Sequence, residues 1–185
     1  MNEKYIRAVY DENSITIYQA YNQLIASSAI RYQTFMSPPF KKDRMTWIKP
    51  SFLWMMYRSG WATKENQESI LQIKIKREGF EWALDNSCLS HFDKNIYISN
   101  DSWRNLLIKS PVRIQWDPEK NILMQSMNYK TIQIGLSNEA LDKYIGEWLI
   151  DIKDVTAKCK YIYQLIIDGK IDQAKELIPK EGVST

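Results

Sequence analysis

The spacing of apolar residues changes period several times along the chain. Ser69–Lys76 (SILQIKIK) alternates apolar and polar residues, which predicts a half-buried strand. Val112–Trp116 and Thr131–Leu136 show similar alternation and are further strand candidates. In Asn22–Phe35 the apolar residues recur at helical spacing instead, behind Asn22 as a candidate N-cap. The chain is therefore expected to contain both strands and amphipathic helices.

The N-terminal segment predicts a β-hairpin. Tyr5–Tyr10 and Ser14–Tyr18 are short runs rich in strand-forming residues, and Asp11-Glu12-Asn13 joins them. Asp and Asn favour turns because their side chains bond to the nearby backbone. A second turn is predicted at 117–121 (DPEKN), followed by a strand over Ile122–Met127.

Helical patterns dominate the last third of the chain. Helices are predicted to begin at Ser137, over Asp154–Ile167 and over Ile171–Ile178. Strands in groups with helices at the C-terminal end favour an α+β fold with a mostly antiparallel sheet. We expect a single domain over residues 1–178, with 179–185 as a frayed tail.

A short helix is predicted over Phe52–Arg58. Pro50 and Ser51 suit its start, and Gly60 suits its end. The preceding segment, Phe40–Lys49, reads as a basic loop. Because a helix N-terminus presents free N–H groups, the junction of this loop and helix is a candidate phosphate site.

Composition narrows the class of protein. With 185 residues, 44% hydrophobic and 25% charged, the chain is long and apolar enough to form a folded core. The net charge of +3 is too small for a general nucleic-acid coat. A single histidine excludes a multi-histidine metal site. Two distant cysteines, no signal-like N-terminus and no apolar run of about 20 residues predict a cytoplasmic protein with no membrane partner.

Candidate chemistry concentrates between Phe40 and Ala62 (FKKDRMTWIKPSFLWMMYRSGWA). This stretch interleaves three tryptophans with five cations. Aromatic rings and cations together suit an anion that carries a flat ring, such as a nucleotide or a nucleic-acid strand. A buried helix behind a solvated basic loop is the structural alternative.

Candidate ligand-binding residues come from several segments. Ring stacking is assigned to Tyr18, Tyr21 and Trp47. Arg113, Gln115 and Asp117 alternate along one strand, so they share a face that is either a sheet edge or a pocket wall. The phosphate-binding candidates are Arg7, Lys41, Arg44, Lys49, Ser51 and Arg58.

Several strings resemble one protein family. IRAVYDENSITIYQAY, RMTWIKPSFLWMMYRSGWATK, REGFEWAL, CLSHF, VRIQWDPE and IQIGLSNEAL are similar to the domain of unknown function 4291 family. The resemblance covers nearly the whole chain. It implies a stand-alone soluble domain and carries no statement about a substrate.

A more distant resemblance is to ADP-ribosyltransferase-like domains. Their first strand carries a Tyr-His or Arg signature before a helix, and Tyr18-Gln19-Ala20-Tyr21 occupies that place with Gln19 instead of histidine. Their late-strand glutamate is matched here by Gln133, with Glu119 nearby in the chain. The resemblance implies NAD as cofactor and Gln19, Glu119 and Gln133 as catalytic residues.

Three functions remain open from the sequence. The first is a nucleotide-handling enzyme that resembles the NAD-dependent ADP-ribosyltransferases and modifies nucleic acid. The second is a non-catalytic module that binds single-stranded nucleic acid, and the third is a protein-interaction domain. The first two require Arg7, Tyr18, Lys49 and Arg113 to meet at one cleft, walled by the N-terminal hairpin, the basic loop and strand Val112–Trp116.

Overall fold

The structure is a computed structural model that describes residues 3–184. Within this range the strands are β1 (Ile6–Ala8), β2 (Ser14–Tyr21), β3 (Thr46–Ile48), β4 (Ser69–Lys76), β5 (Ser87–Leu89), β6 (Val112–Lys120), β7 (Ser126–Leu136), β8 (Leu149–Asp154) and β9 (Gly182–Ser184). The helices are α1 (Gln23–Tyr32), α2 (Phe52–Ser59), α3 (Arg77–Asp85), α4 (Asn100–Lys109), α5 (Asn138–Lys143), α6 (Thr156–Ile167) and α7 (Ile171–Leu177). A π-helical turn, Tyr144–Trp148, continues α5.

The strands form three sheets with little parallel pairing. Their orders are β1-β9, β2-β4-β8 and β3-β7-β6-β5, and among these named strands only β5 and β6 run parallel. The predicted α+β class with a mostly antiparallel sheet and C-terminal helices is confirmed. A backbone bridge between Tyr18 and Lys49 joins the edge of β2 to the end of β3. The two larger sheets therefore meet beside Lys49.

The main core lies on one face of the four-stranded sheet. Ile48, Ile134 and Ile114 are buried there. Helices α1 and α3 add Ala29 and Phe80 to the same cluster. Side chains alternate along a strand, so the residues between these apolar positions must face the other side of the sheet. That other side carries the candidate site.

A second apolar cluster holds α2 in place. Tyr18, Met55 and Met56 are buried in it together with Ile162 of α6. Helix α2 begins at an N-cap serine, Ser51, whose Oγ accepts a hydrogen bond from the Trp54 N–H. Its C-cap is a left-handed glycine, as the sequence predicts.

The hairpin between β6 and β7 lies later in the chain than predicted. β6 continues through Lys120, so residues 117–120 are strand, with an irregularity in pairing between Pro118 and Lys120. The turn falls at 121–125, where a strand was expected, and Asn121 Oδ1 accepts from the Leu123 and Gln125 N–H groups. The prediction failed because Asp117 and Pro118 are typical turn residues that here occupy a strand.

The two ends of the chain pair with each other. The predicted N-terminal turn is present, since Tyr10 pairs with Ile15, but β1 pairs with β9, and Arg7 lies opposite Val183. The expectation of a frayed tail is therefore wrong for residues 182–184, and the final residue lies outside the described range.

Three further strands, β3, β5 and β8, were not predicted. β3 lies in the segment that the sequence assigned to the basic loop, and β8 follows the π-helical turn. None of the helices within residues 3–184 combines the length and apolar character required to cross a membrane.

Candidate functional site

The four-stranded sheet has a polar face opposite its apolar core. On β7, Gly135 lies opposite Trp47 of β3 and opposite Arg113 of β6. All three positions therefore belong to the same face of the sheet. Two residues along, Gln133 and Gln115 are partners on that face. Lys49 directly follows β3 and lies two residues beyond Trp47 in the chain. The expected polar strand face is thus a continuous polar sheet surface.

A cavity of about 380 Å³, called here the basic cavity, opens at the β3 end of this face. It lies between the ends of β2 and β3, the segment before β3, α2 and the turn at 65–67. Its predicted lining residues include the Trp47 and Tyr21 rings. Its four cations, called the cavity cations, are Lys41, Arg44, Lys49 and Arg58.

The cavity cations have no carboxylate partners in the part of the chain that the structure describes. Across residues 3–184, none of the four has a carboxylate oxygen within ion-pair distance. Lys42, which does not line the cavity, instead has its Nζ 3.3 Å from Asp142. The acidic residue among the cavity's lining residues is Glu65. Positive charge is therefore in excess at this concavity, as an anion site requires.

Lys49 differs from the other cavity cations because it is buried, with 7% of its surface exposed. Its Nζ donates to the Trp47 carbonyl at 3.0 Å. Burial and then the nearby Arg58 guanidinium lower the pKa of Lys49 to about 7, while the Asp117 carboxylate opposes that shift. A substantial share of Lys49 is consequently an uncharged amine at neutral pH.

Gln19 has a structural position in the cavity wall. Its Nε2 donates to the Tyr21 hydroxyl at 2.9 Å and to Thr46 Oγ1 at 3.0 Å, and its Oε1 accepts from Tyr144 at 2.7 Å. Burial is the main cause that raises the pKa of Tyr21 to about 12, so this hydroxyl stays protonated. Because its amide is used within the protein, Gln19 positions Tyr21 and β3 rather than presenting a free group to a ligand.

The sequence profile for the domain of unknown function DUF4291 matches residues 5–183. The chain belongs to the DUF4291 family. The match covers almost all of the chain, which agrees with one domain. Comparison with curated proteins found no match, and no comparison supports the ADP-ribosyltransferase resemblance.

The residues expected to catalyse ADP-ribosyl transfer do not converge in this DUF4291 structure. Gln19 is hydrogen-bonded in the wall of the basic cavity. The Gln133 amide donates to Asp117, which also accepts from Gln115. Glu119 lines a different cavity. The three residues therefore form no common constellation.

Tyr18 and Arg113 also lie away from the basic cavity. Tyr18 is 1% exposed and packs edge-on against Phe52, so neither ring face is open for stacking. Arg113 lies across the sheet from Trp47, beyond Gly135, and its Nε has no hydrogen-bond partner among the described residues. The expected meeting of Arg7, Tyr18, Lys49 and Arg113 at one cleft is wrong, because only Lys49 lines it.

A second concavity of about 350 Å³, called here the C-terminal cavity, is lined by other residues that the sequence assigned to the site. Arg7, Ser51 and Glu119 line it together with Glu181. Arg7 donates to the Glu181 carbonyl at 3.1 Å. The Glu181 side chain accepts from the Phe52 N–H at 2.7 Å, at the start of α2. The predicted phosphate cradle at this helix N-terminus is therefore occupied by a carboxyl group of the chain itself.

Sequence reasoning missed several residues that shape the cavity. Met45 and Thr46 lie within the basic segment itself, whereas Asn66, Gln67 and Gly135 come from distant segments. Asn66 adopts φ of 61°, which asparagine tolerates better than most residues. Gly135 gave the one usable signal, because a glycine inside a strand often marks a close approach. A Cβ there would lie 2.4 Å from Met45 Sδ and 3.0 Å from Trp47 Cε2.

Gly135→Ala is expected to displace Met45 and Trp47. The affinity of the basic cavity for any ligand that contacts Trp47 should then fall severalfold. The overpacking should also cost about 1–3 kcal/mol of unfolding free energy. Gly146→Ala is the matched control, since a Cβ there meets nothing within 4 Å. Titration calorimetry on both variants measures the effect. Equal ligand affinities in the two would mean that Trp47 takes no part in binding.

Glu181 makes stability depend on pH. Burial is the main cause that raises the pKa of Glu181 from 4.5 to about 8, and it also raises the pKa of Glu119. Between pH 4.5 and 8 the folded state therefore binds a proton that the unfolded state has released. The unfolding free energy should fall as pH rises through this range, by up to about 1.4 kcal/mol per pH unit.

Glu181→Gln is expected to flatten this dependence between about pH 5 and 7. Lys49 does not disturb this window, since its lowered pKa makes stability rise only above pH 7. Urea unfolding over the pH series, with exposed Glu176→Gln as control, measures the slope. An unchanged slope in Glu181→Gln would show that this carboxyl is not proton-linked to folding.

Proposed function

We propose that this DUF4291 domain binds a phosphorylated compound with a flat ring, of the nucleotide class, in the basic cavity. The observation that carries the proposal is the convergence of Lys41, Arg44 and Arg58, none of which has a carboxylate partner among residues 3–184, on one concavity that Lys49 and Trp47 also line. Cations without partners in a pocket favour an anion, and an indole ring favours a planar group.

Arg44 and Arg58 are assigned to the phosphate. A guanidinium donates two parallel hydrogen bonds to a phosphate, with geometry that lysine does not offer. Both side chains are exposed at the cavity, and no hydrogen bond within residues 3–184 occupies either guanidinium. Trp47 is held by Gly135 and Met45 and is assigned to the ring of the ligand.

The size of the basic cavity favours a single nucleotide. Its volume of about 380 Å³ lies near the lower end of the roughly 300–1,000 Å³ that is usual for small-molecule pockets. A mononucleotide fills such a space, whereas NAD must extend one of its two nucleotide halves over the surface. AMP is therefore the first probe, and NAD and a single-stranded oligonucleotide are the comparisons.

The test is ligand-induced stabilisation measured by thermal unfolding. AMP should raise the unfolding temperature in a saturable manner, because a ligand that prefers the folded state stabilises it. Inorganic phosphate should do so more weakly, since it has no ring to stack. A shift that only the oligonucleotide produces, and that added salt removes steeply, would favour the nucleic-acid-binding function. No shift with any probe would contradict ligand binding at the cavity.

A further inference from the structure

Lys49 is held in one place by its backbone. Its N–H donates to the Tyr18 carbonyl at 3.2 Å, and its carbonyl accepts from the Tyr18 N–H at 2.7 Å. Pro50 follows it directly and fixes the backbone angle at the start of α2. The side chain therefore reaches into the basic cavity from a fixed point on the sheet edge.

The surroundings of this side chain suit an uncharged amine. Its Nζ is buried, its assigned hydrogen bond goes to a backbone carbonyl, and no carboxylate among residues 3–184 pairs with it. A charged ammonium is costly to bury without an ion-pair partner. Arg58 adds like-charge repulsion. Neutral lysine is a nucleophile, whereas the ammonium form is not.

We propose that Lys49 forms an imine with the carbonyl group of a phosphorylated substrate bound in the basic cavity. The inference rests on the proposed function, because the other cavity cations must hold the phosphate. Nζ attacks the carbonyl carbon, and the oxygen takes up a proton to give a carbinolamine. Loss of water then leaves a carbon–nitrogen double bond, so amine and carbonyl become imine and water without any oxidant or reductant.

Lys49 should react far faster than the surface lysines. Its pKa is lowered to about 7 by burial and by Arg58, so its neutral form is well populated at neutral pH. An ordinary lysine with a pKa near 10.4 is neutral in roughly one molecule of 2,500. Lys42, earlier in the same segment, is exposed, and its Nζ lies 3.3 Å from Asp142 Oδ1. It is the internal comparison for reactivity.

The experiment uses pyridoxal 5′-phosphate, a phosphorylated aromatic aldehyde, as the probe. The wild-type protein is incubated with a low concentration at pH 7, reduced with borohydride and mapped by peptide mass spectrometry. Lys49 should carry most of the reduced adduct, and Lys49→Met should lose that adduct while Lys42→Met keeps it. Labelling spread over surface lysines with Lys49 unmodified would overturn the proposal, and wild-type mapping gives this result even if Lys49→Met does not fold.

Two further probes separate this inference from the proposed function. Pyridoxine 5′-phosphate has an alcohol in place of the aldehyde, so it should compete with the labelling without reacting. Pyridoxal without phosphate should label Lys49 much more weakly. If the alcohol binds at the cavity but the aldehyde forms no adduct on Lys49, binding stands and the nucleophile is wrong. If the alcohol does not bind and labelling is unselective, the imine proposal fails, while AMP-induced stabilisation decides the proposed function separately.

Discussion

Replacing Arg44 and Arg58 together by alanine is expected to weaken AMP binding by about two orders of magnitude or more. Hydrogen bonds to charged groups contribute about 1.5–3 kcal/mol each, and both guanidinium groups are assigned to the phosphate. Neither side chain has an ion-pair partner among residues 3–184, so their removal should leave the unfolding free energy nearly unchanged. Titration calorimetry and urea unfolding measure the two effects.

The control for this variant carries the same change in net charge. Arg104 and Lys109 lie exposed on α4 and do not line the basic cavity. Their double replacement by alanine should alter AMP affinity by less than about twofold at physiological salt, because distant surface charges are screened. Equal losses in the two double variants would mean that overall charge, and not the cavity, attracts the ligand.

The second large effect concerns Gln19. Gln19→Ala is expected to lower the unfolding free energy by about 3 kcal/mol. The variant leaves the buried Tyr144 hydroxyl without its acceptor and removes the donor to Thr46. Urea unfolding tests this, with Gln173→Ala on the exposed side of α7 as the control, which should change stability by less than about 0.5 kcal/mol.

Gln19→Ala also distinguishes a structural residue from a catalytic one. If Gln19 positions β3 and Tyr21, the variant loses stability first and retains AMP binding at temperatures where it stays folded. A stable Gln19→Ala protein with no AMP binding would instead mean that the amide contacts the ligand. That outcome would restore the role that the sequence assigned to this residue.

The sequence predicted the elements that local patterns determine. Asn22 is an N-cap, as expected, α2 begins directly after Pro50 and Ser51, and Ser69–Lys76 is the strand that its alternation indicates. The β6–β7 turn was misplaced, because turn residues can be accommodated in a paired strand. The pairing of β1 with β9 joins opposite ends of the chain, and a single sequence contains no signal for such a long-range contact.

The residues of the candidate site also divide into those that the local sequence predicts and those that depend on long-range contacts. Lys41, Arg44, Trp47, Lys49 and Arg58 lie within one short segment, so their proximity could be predicted from the sequence. Residues from distant strands depend on register and on which face each strand presents. Tyr21 lines the cavity as predicted, but Tyr18 and Arg113 do not.

Arg7 and Glu119 are two residues whose position could not be predicted from the local sequence. Both were expected to take part in one cleft, but the partner that defines their cavity is Glu181, whose carbonyl accepts a hydrogen bond from Arg7 across 174 residues of sequence. Neither the pairing of the termini nor the position of the Glu181 carboxyl group at the start of α2 could be predicted from the local sequence around Arg7 and Glu119.

The position of the phosphate in a complex with AMP tests the central claim most directly. A crystal structure of that complex should place the phosphorus within hydrogen-bonding reach of the Arg44 and Arg58 guanidinium groups, with the adenine against Trp47. Density for AMP in the C-terminal cavity beside Arg7, with the basic cavity holding only solvent, would contradict the account.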